Sequence, residues 1–156
     1  MDDPYALQRF ELAQEDHNVY RSAASELRTG RKLSHWMWFI FPQIAGLGRS
    51  SNSKAYAISS LDEAKVYVAH PVLGPRLAEC THILTQLNGL TALEIFGPID
   101  AQKLRSSMTL FAHAAPDNRL FQDVLDQYFG GVRDDRTDRL LAAEAPHEPP
   151  PGDGQS

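Results

Sequence analysis

Between Leu27 and Leu61 the chain has no Asp or Glu, yet it holds Arg28, Arg31, Lys32, Arg49 and Lys54. This window is +5 inside a chain of net charge −5. An acidic protein that gathers cations in one segment has the makings of an anion site, because charge lining a cleft focuses the local potential. A solvated basic face would give the same pattern. A second acid-free window, Ala101 to Pro116, contributes Lys103 and Arg105.

The middle of the first window reads Ser34-His35-Trp36-Met37-Trp38-Phe39-Ile40-Phe41-Pro42-Gln43 and contains both tryptophans of the chain. On a helix His35, Trp38 and Phe39 share one face, and Trp36 and Ile40 another. Trp36 and Trp38 would then form a stacking wall for a planar ligand, with His35 as proton carrier at its edge. The competing structural reading is core packing with the indole N–H groups bonded internally.

Gly46-Leu47-Gly48-Arg49-Ser50-Ser51 follows. Glycines let the backbone approach a ligand. The guanidinium of Arg49 and the hydroxyl of Ser50, leading into a helix start, suit a phosphate or carboxylate. The segment is neither a Walker A loop nor a dinucleotide fingerprint, since the Gly-Lys-Ser/Thr ending and a preceding strand are missing. Further on, Lys103, Ser106 and Ser107 are helical neighbours. Mid-helix hydroxyls compete with backbone hydrogen bonds and need a reason. Close helix packing is one reason and a polar pocket is the other. Cys80 falls on an apolar stripe and reads as core. The histidines show no metal spacing, so no metal site is expected, and no cofactor is indicated. Glu26 could serve as an acid or base near the basic window, or could pair with Arg28 or Lys32.

Short helices must position these groups. Ala and Leu number 18 each against 12 Val plus Ile, which favours helix over sheet. Helices are expected over Tyr5 to Gln14, from Asp16 or His17 to Gly30, over Leu33 to Phe41 and as a turn at Ser53 to Ile58. Ser60 caps Leu61 to Ala69. Pro71 opens a helix with Leu73, Leu77, Cys80, Leu84 and Leu87 inward, ended by Gly89. Thr91 and Glu94 form a capping box for a short helix ending at Gly97, and Asp100 caps a longer one. Leu120 to Phe129 ends at Gly130, and a last helix covers Arg136 to Ala143. No stretch alternates with period two. The expected fold is all-α, a single domain of seven to eight short helices over residues 1–143. The Pro- and Gly-rich residues 144–156 read as a disordered tail.

The longest apolar run, Trp36 to Phe41, is far too short to cross a membrane. The Met-Asp-Asp-Pro start lacks a secretory signal, and a single cysteine cannot form an internal disulfide. A cytoplasmic protein is expected. The negative net charge argues against nucleic-acid binding, which depends on neutralising phosphates.

Several blocks resemble a known family. They are Asp3-Pro4-Tyr5 with Gln8-Arg9-Phe10 and Ala13-Gln14, the His35 to Gln43 segment, Gly46 to Ser50, and Tyr56-Ala57-Ile58. His70 to Gly74 and Lys103 to Phe111 complete the set. The family is bacterial, all-helical and of unknown function, often mislabelled calpastatin, and typified by a mycobacterial conserved hypothetical protein. The resemblance covers about residues 2–141 and implies a monomeric helical fold, with no catalytic residue to carry over. Where the family has Met-Ala after Arg-Ser-Ser, this chain has Asn52-Ser53, a more polar loop. More loosely, the helical architecture and polar-aromatic motifs are similar to small N-glycosidases acting on ribosylated metabolites, which would imply a hydrolase.

The sequence thus points to a domain binding a small anionic, nucleotide-like or phosphorylated ligand. Trp36 and Trp38 would stack, Arg28, Lys32, Arg49 and Lys103 would supply charge, and Ser50, Ser106 and Ser107 hydrogen bonds. His35 would move protons. A protein-interaction module docking through a basic face and a purely structural helical domain are the alternatives. Convergence of these blocks on one concave pocket favours the first.

Overall fold

A computed structural model describes residues 3–144. The order of elements is α1 (Gln8–Glu15), α2 (Val19–Arg28), α3 (Met37–Ile40), α4 (Ser51–Ala55), α5 (Leu61–Ala69), α6 (Leu73–Gln86), α7 (Ala92–Ala114), α8 (Leu120–Phe129) and α9 (Asp135–Glu144). The fold is all-α. Among the described residues extended pairing is confined to one parallel bridge between Ile44 and Ile58. No helix among them is long and apolar enough to cross a membrane.

Helix α7 is the axis. It packs against α5, α8 and α9, while α6 packs against α2, α5 and α8. From Ser106 to Ala112 every residue of α7 is buried, so this helix has no solvent face over two turns. Phe111 sits between Tyr67 of α5 and Phe121 of α8, with ring centroids 5.4 and 5.7 Å apart. Four of the five residues expected on the α6 stripe are core, Leu73, Leu77, Cys80 and Leu84. Leu87 is only partly buried, because the helix ends at Gln86 and Leu87 is already extended. Burial pushes the Cys80 thiol up to about 12, because a low-dielectric site penalises the thiolate.

Most helix ends follow their caps. Ser60 accepts from the N–H of Glu63, Thr91 and Glu94 complete a reciprocal capping box, and Gly130 closes α8 in the left-handed conformation. Several boundaries differ from expectation. The helix expected over Leu33 to Phe41 is the single turn α3, since Trp36 has φ −143° and Glu26 takes the N–H groups of Leu33 and Ser34. The turn expected at Ser53 to Ile58 is α4, which begins two residues earlier behind the Ser50 cap and ends at Ala55. Helix α1 starts at Gln8, since Ala6 has φ 54° and Asp3 accepts the N–H groups of Leu7 and Gln8 at 2.8 and 3.0 Å. Helix α2 starts at Val19, because His17 and Asn18 adopt left-handed angles. The helices expected on either side of Gly97 run on as α7 across a kink, where Gly97 has φ 79° and ψ 170° and Pro98 follows. Asp100 therefore caps nothing and pairs with Lys32 instead. Glu144, assigned by composition to the tail, is the last residue of α9, and its carboxylate accepts the N–H of Leu61 at 2.8 Å. Residues 145–156 of that expected tail lie outside the described residues.

The hydroxyls of α7 also find their reason. Ser106 and Thr109 donate to the carbonyls four residues earlier, Gln102 and Arg105. Ser106 shares its single proton with the Asp134 carboxylate, also at 3.1 Å, and Thr109 accepts the N–H of Asp134 at 2.9 Å. They hold the N-terminus of α9 against the axis.

Candidate functional site

The Ile44–Ile58 bridge closes a loop. Ile58 donates to the carbonyl of Gln43 and its own carbonyl accepts from Ala45, both at 2.8 Å. The intervening chain folds over itself around the five-residue α4, capped by Ser50, whose hydroxyl accepts from the N–H of Ser53. At Gly48 a Cβ would lie 2.4 Å from that of Ser53, so only glycine lets the loop pass the start of α4 this closely. Compact loops with adjoining ends are frequent carriers of function.

Two outside elements fix the loop. Arg9 of α1 donates to the carbonyls of Ala55 and Ala57 at 2.9 and 2.8 Å, and to the buried Glu63 carboxylate at 3.1 Å. This clamps the chain on both sides of Tyr56. From α9, Arg136 donates to the carbonyl of Leu47 at 3.3 Å.

Inside the loop lies a cavity of about 150 Å³, walled by Trp38 and Tyr56 and lined by Gln43, Gly46, Gly48, Ser53 and Lys54 among others. Lys54 is the one charged side chain in that lining. It has no ion pair among the described residues, and the same holds for the neighbouring Arg49. The side-chain amide of Gln43 and the hydroxyl of Tyr56 likewise find no partner there. The indole N–H of Trp38 is buried and has no hydrogen-bond partner among the described residues. Burying such a donor costs about 1–3 kcal/mol unless something accepts from it.

The residues singled out in the sequence divide. Trp38 is on the cavity wall, and His35 lies on the rim of the adjoining groove. Arg49 and Ser50 are exposed on the loop itself. Lys103 stands over the Trp38 ring, 5.4 Å from its centroid. The others are held elsewhere. Trp36 is fully buried and donates to Glu26 at 2.9 Å. Glu26 also accepts from the N–H groups of Leu33 and Ser34 and from the Ser34 hydroxyl. Burial opposes its ionisation, but the hydrogen bonds from Ser34, Leu33 and Trp36 together hold its carboxyl below the usual value. Lys32 is 8% exposed and pairs with Asp100 at 2.9 Å, and Arg28 pairs with Glu79 at 3.1 Å. Ser106 is bound to Asp134. Ser107 is buried with an unpartnered hydroxyl and does not line the cavity.

Gln43, Ser53, Lys54 and Tyr56 were not singled out as ligand contacts. Lys54 belonged to the acid-free window, and Gln43 and Tyr56 to the quoted blocks, but nothing in their spacing shows that one bridge brings them together.

Residues 4–141 match a family described as protein of unknown function (DUF1810). No curated protein matches the chain. Among solved structures, the conserved hypothetical protein Rv1873 from Mycobacterium tuberculosis superposes with a TM-score of 0.87 at 54% identity, covering 90% of this chain and 99% of that one.

Proposed function

The chain belongs to the DUF1810 family of unknown function, and we propose that its loop cavity binds a small anion. The observation that carries this reading is the lining of the cavity, which holds Lys54 and no carboxylate. Outside it Arg9, Glu26, Lys32 and Asp134 each bond to several groups or to a counter-charge, while Ser107 and the exposed Arg21, Arg31 and Lys65 have no side-chain partner among the described residues. In the cavity lining the Lys54 ammonium and the Gln43 amide are donors without acceptors, and the N–H of the lining residue Trp38 is buried behind its ring without a partner among the described residues. A cavity that offers donors and one cation, with no carboxylate in its lining, is matched by an acceptor-rich, negatively charged ligand. Helix α4 is too short to add a dipole of consequence, so side chains and loop amides supply the recognition.

This differs from the arrangement anticipated from sequence. Lys54 takes the role given to Arg28 and Lys32, and Trp38 alone of the two indoles faces the ligand. The basic window offers fewer free cations than its composition implies, because Arg28 and Lys32 are paired. That favours a small-ligand pocket over a basic docking face. His35, at the groove rim, is the one imidazole near the site, and a hydrolytic or N-glycosidic reaction would draw its proton carrier from there.

Calorimetric titration with inorganic phosphate tests the reading. Lys54→Gln removes a charged hydrogen-bond donor from an exposed position and is expected to weaken binding about tenfold, near the low end of the range for such bonds. Lys65→Gln, an exposed lysine of α5 outside the lining, should bind as wild type. Equal affinity in the Lys54 variant and wild type would overturn the anion reading.

A further inference from the structure

We infer that the anion is carried on a planar ring, and that the ring occupies the groove adjoining the cavity; this rests on the anion reading above. Trp38 and Tyr56 line both spaces. Beside them lies an open groove of about 510 Å³, whose other walls are Ala13, Val19, His35, Phe39, Asn52 and the carboxylate-bearing Asp16, which pairs with His17. The cavity alone, at about 150 Å³, is below the range of roughly 300–1,000 Å³ in which small-molecule sites usually fall. It accommodates a compact head group and little more. Since Trp38 and Tyr56 line both spaces, a group bonded to the head group can extend along these shared rings into the groove.

The groove is built for a flat partner. Tyr56 is braced at 5.4 Å by Phe39 and at 5.8 Å by Phe10, and Arg9 pins the carbonyls on either side of it. Its ring is therefore held before any ligand arrives, which lowers the ordering cost of binding. Stacked aromatic pairs attract beyond what the area they bury supplies. Around these rings stand polar groups with no partner among the described residues: the Tyr56 hydroxyl, the His35 imidazole and the Asn52 amide. Such groups match the edge of a ring bearing nitrogen, carbonyl or amino substituents. The geometry points to an aryl or heteroaryl phosphate or carboxylate, with the charged group at Lys54 and the ring against Trp38 and Tyr56.

The test compares three probes on the full chain by calorimetry at one pH and ionic strength: inorganic phosphate, phenyl phosphate and cyclohexyl phosphate. Phenyl phosphate is expected to bind about tenfold or more tighter than inorganic phosphate. Cyclohexyl phosphate, similar in size but without a π-face, should recover only part of that gain. Both esters should weaken in Lys54→Gln. Equal binding of phenyl and inorganic phosphate would overturn the ring assignment, and equal binding of the phenyl and cyclohexyl esters would overturn its planarity. Either result leaves the anion reading intact provided Lys54→Gln still weakens binding. Indifference of every probe to Lys54→Gln would overturn the anion reading itself.

Discussion

Asp134→Ala is expected to destabilise the protein by about 2–4 kcal/mol, a fall of about 10 °C in Tm. Asp134 is 4% exposed and has no cation against its carboxylate among the described residues. Four neutral donors satisfy it instead: the N–H and hydroxyl of Thr137 at 3.0 and 2.6 Å, the Ser106 hydroxyl at 3.1 Å and the Gln102 amide at 3.1 Å. Truncation strands the buried Thr137 hydroxyl, leaves Ser106 only the Gln102 carbonyl, and uncaps α9 in one step. The stranded hydroxyl costs about 1–3 kcal/mol and the lost cap about 1 kcal/mol. Asp134→Asn keeps an acceptor oxygen and should lose about half as much. Chemical denaturation of the three proteins checks this ordering, and a loss below about 1 kcal/mol for Asp134→Ala would contradict it. Because α9 holds the loop through Arg136 and Leu47, the alanine variant should also bind phosphate less well.

Gly74→Ala sets two principles against each other. Gly74 lies in the first turn of α6, where helix propensity alone favours alanine by about 1 kcal/mol. Yet a Cβ there would stand 2.1 Å from the carbonyl oxygen of Val68, a backbone atom at the end of α5 that has no rotamer by which to retreat. The chain turns from α5 into α6 through His70, whose Nδ1 accepts the N–H groups of Val72 and Leu73 at 3.1 Å each. The two helices are thus fixed at both sides of the clash. The steric term wins, and the expected cost is about 3 kcal/mol, the upper part of the usual range for overpacking. A Gly74→Ala protein at least as stable as wild type in urea would show that α6 can shift away from Val68.

These two sites also show what the sequence could and could not convey. The Leu73, Leu77, Cys80 and Leu84 spacing defines the buried face of α6, because helix periodicity is local. The Thr91–Glu94 box and the Ser60 cap are legible for the same reason. Asp134 was silent: its partners Gln102 and Ser106 lie 32 and 28 residues away, and only the packing of α9 on α7 joins them. The hydroxyl-rich run of α7 did signal something unusual, and its explanation is this anchor. The candidate site was half legible. The aromatic block and the glycine loop do meet, but a single-turn helix such as α3 has too few residues for periodicity to tell which indole faces inward. Trp36 went to the core through Glu26, and Trp38 to the cavity. Charge was the less reliable guide, since the acids that neutralise Arg28 and Lys32 are Glu79 and Asp100, 51 and 68 residues further along the chain.

That difference between the two tryptophans gives the most direct measurement. The chain has two indole N–H groups. One donates to Glu26 in the core and the other is buried at the cavity wall without a partner. In a 1H–15N correlation spectrum of the wild-type protein, assigned with Trp38→Phe, titration with phenyl phosphate should shift the Trp38 indole resonance as the ligand ring packs against the indole. The Trp36 resonance should stay in place. A Trp38 indole unmoved at saturating ligand, or a shift confined to Trp36, would contradict the placement of the anion site in the loop cavity.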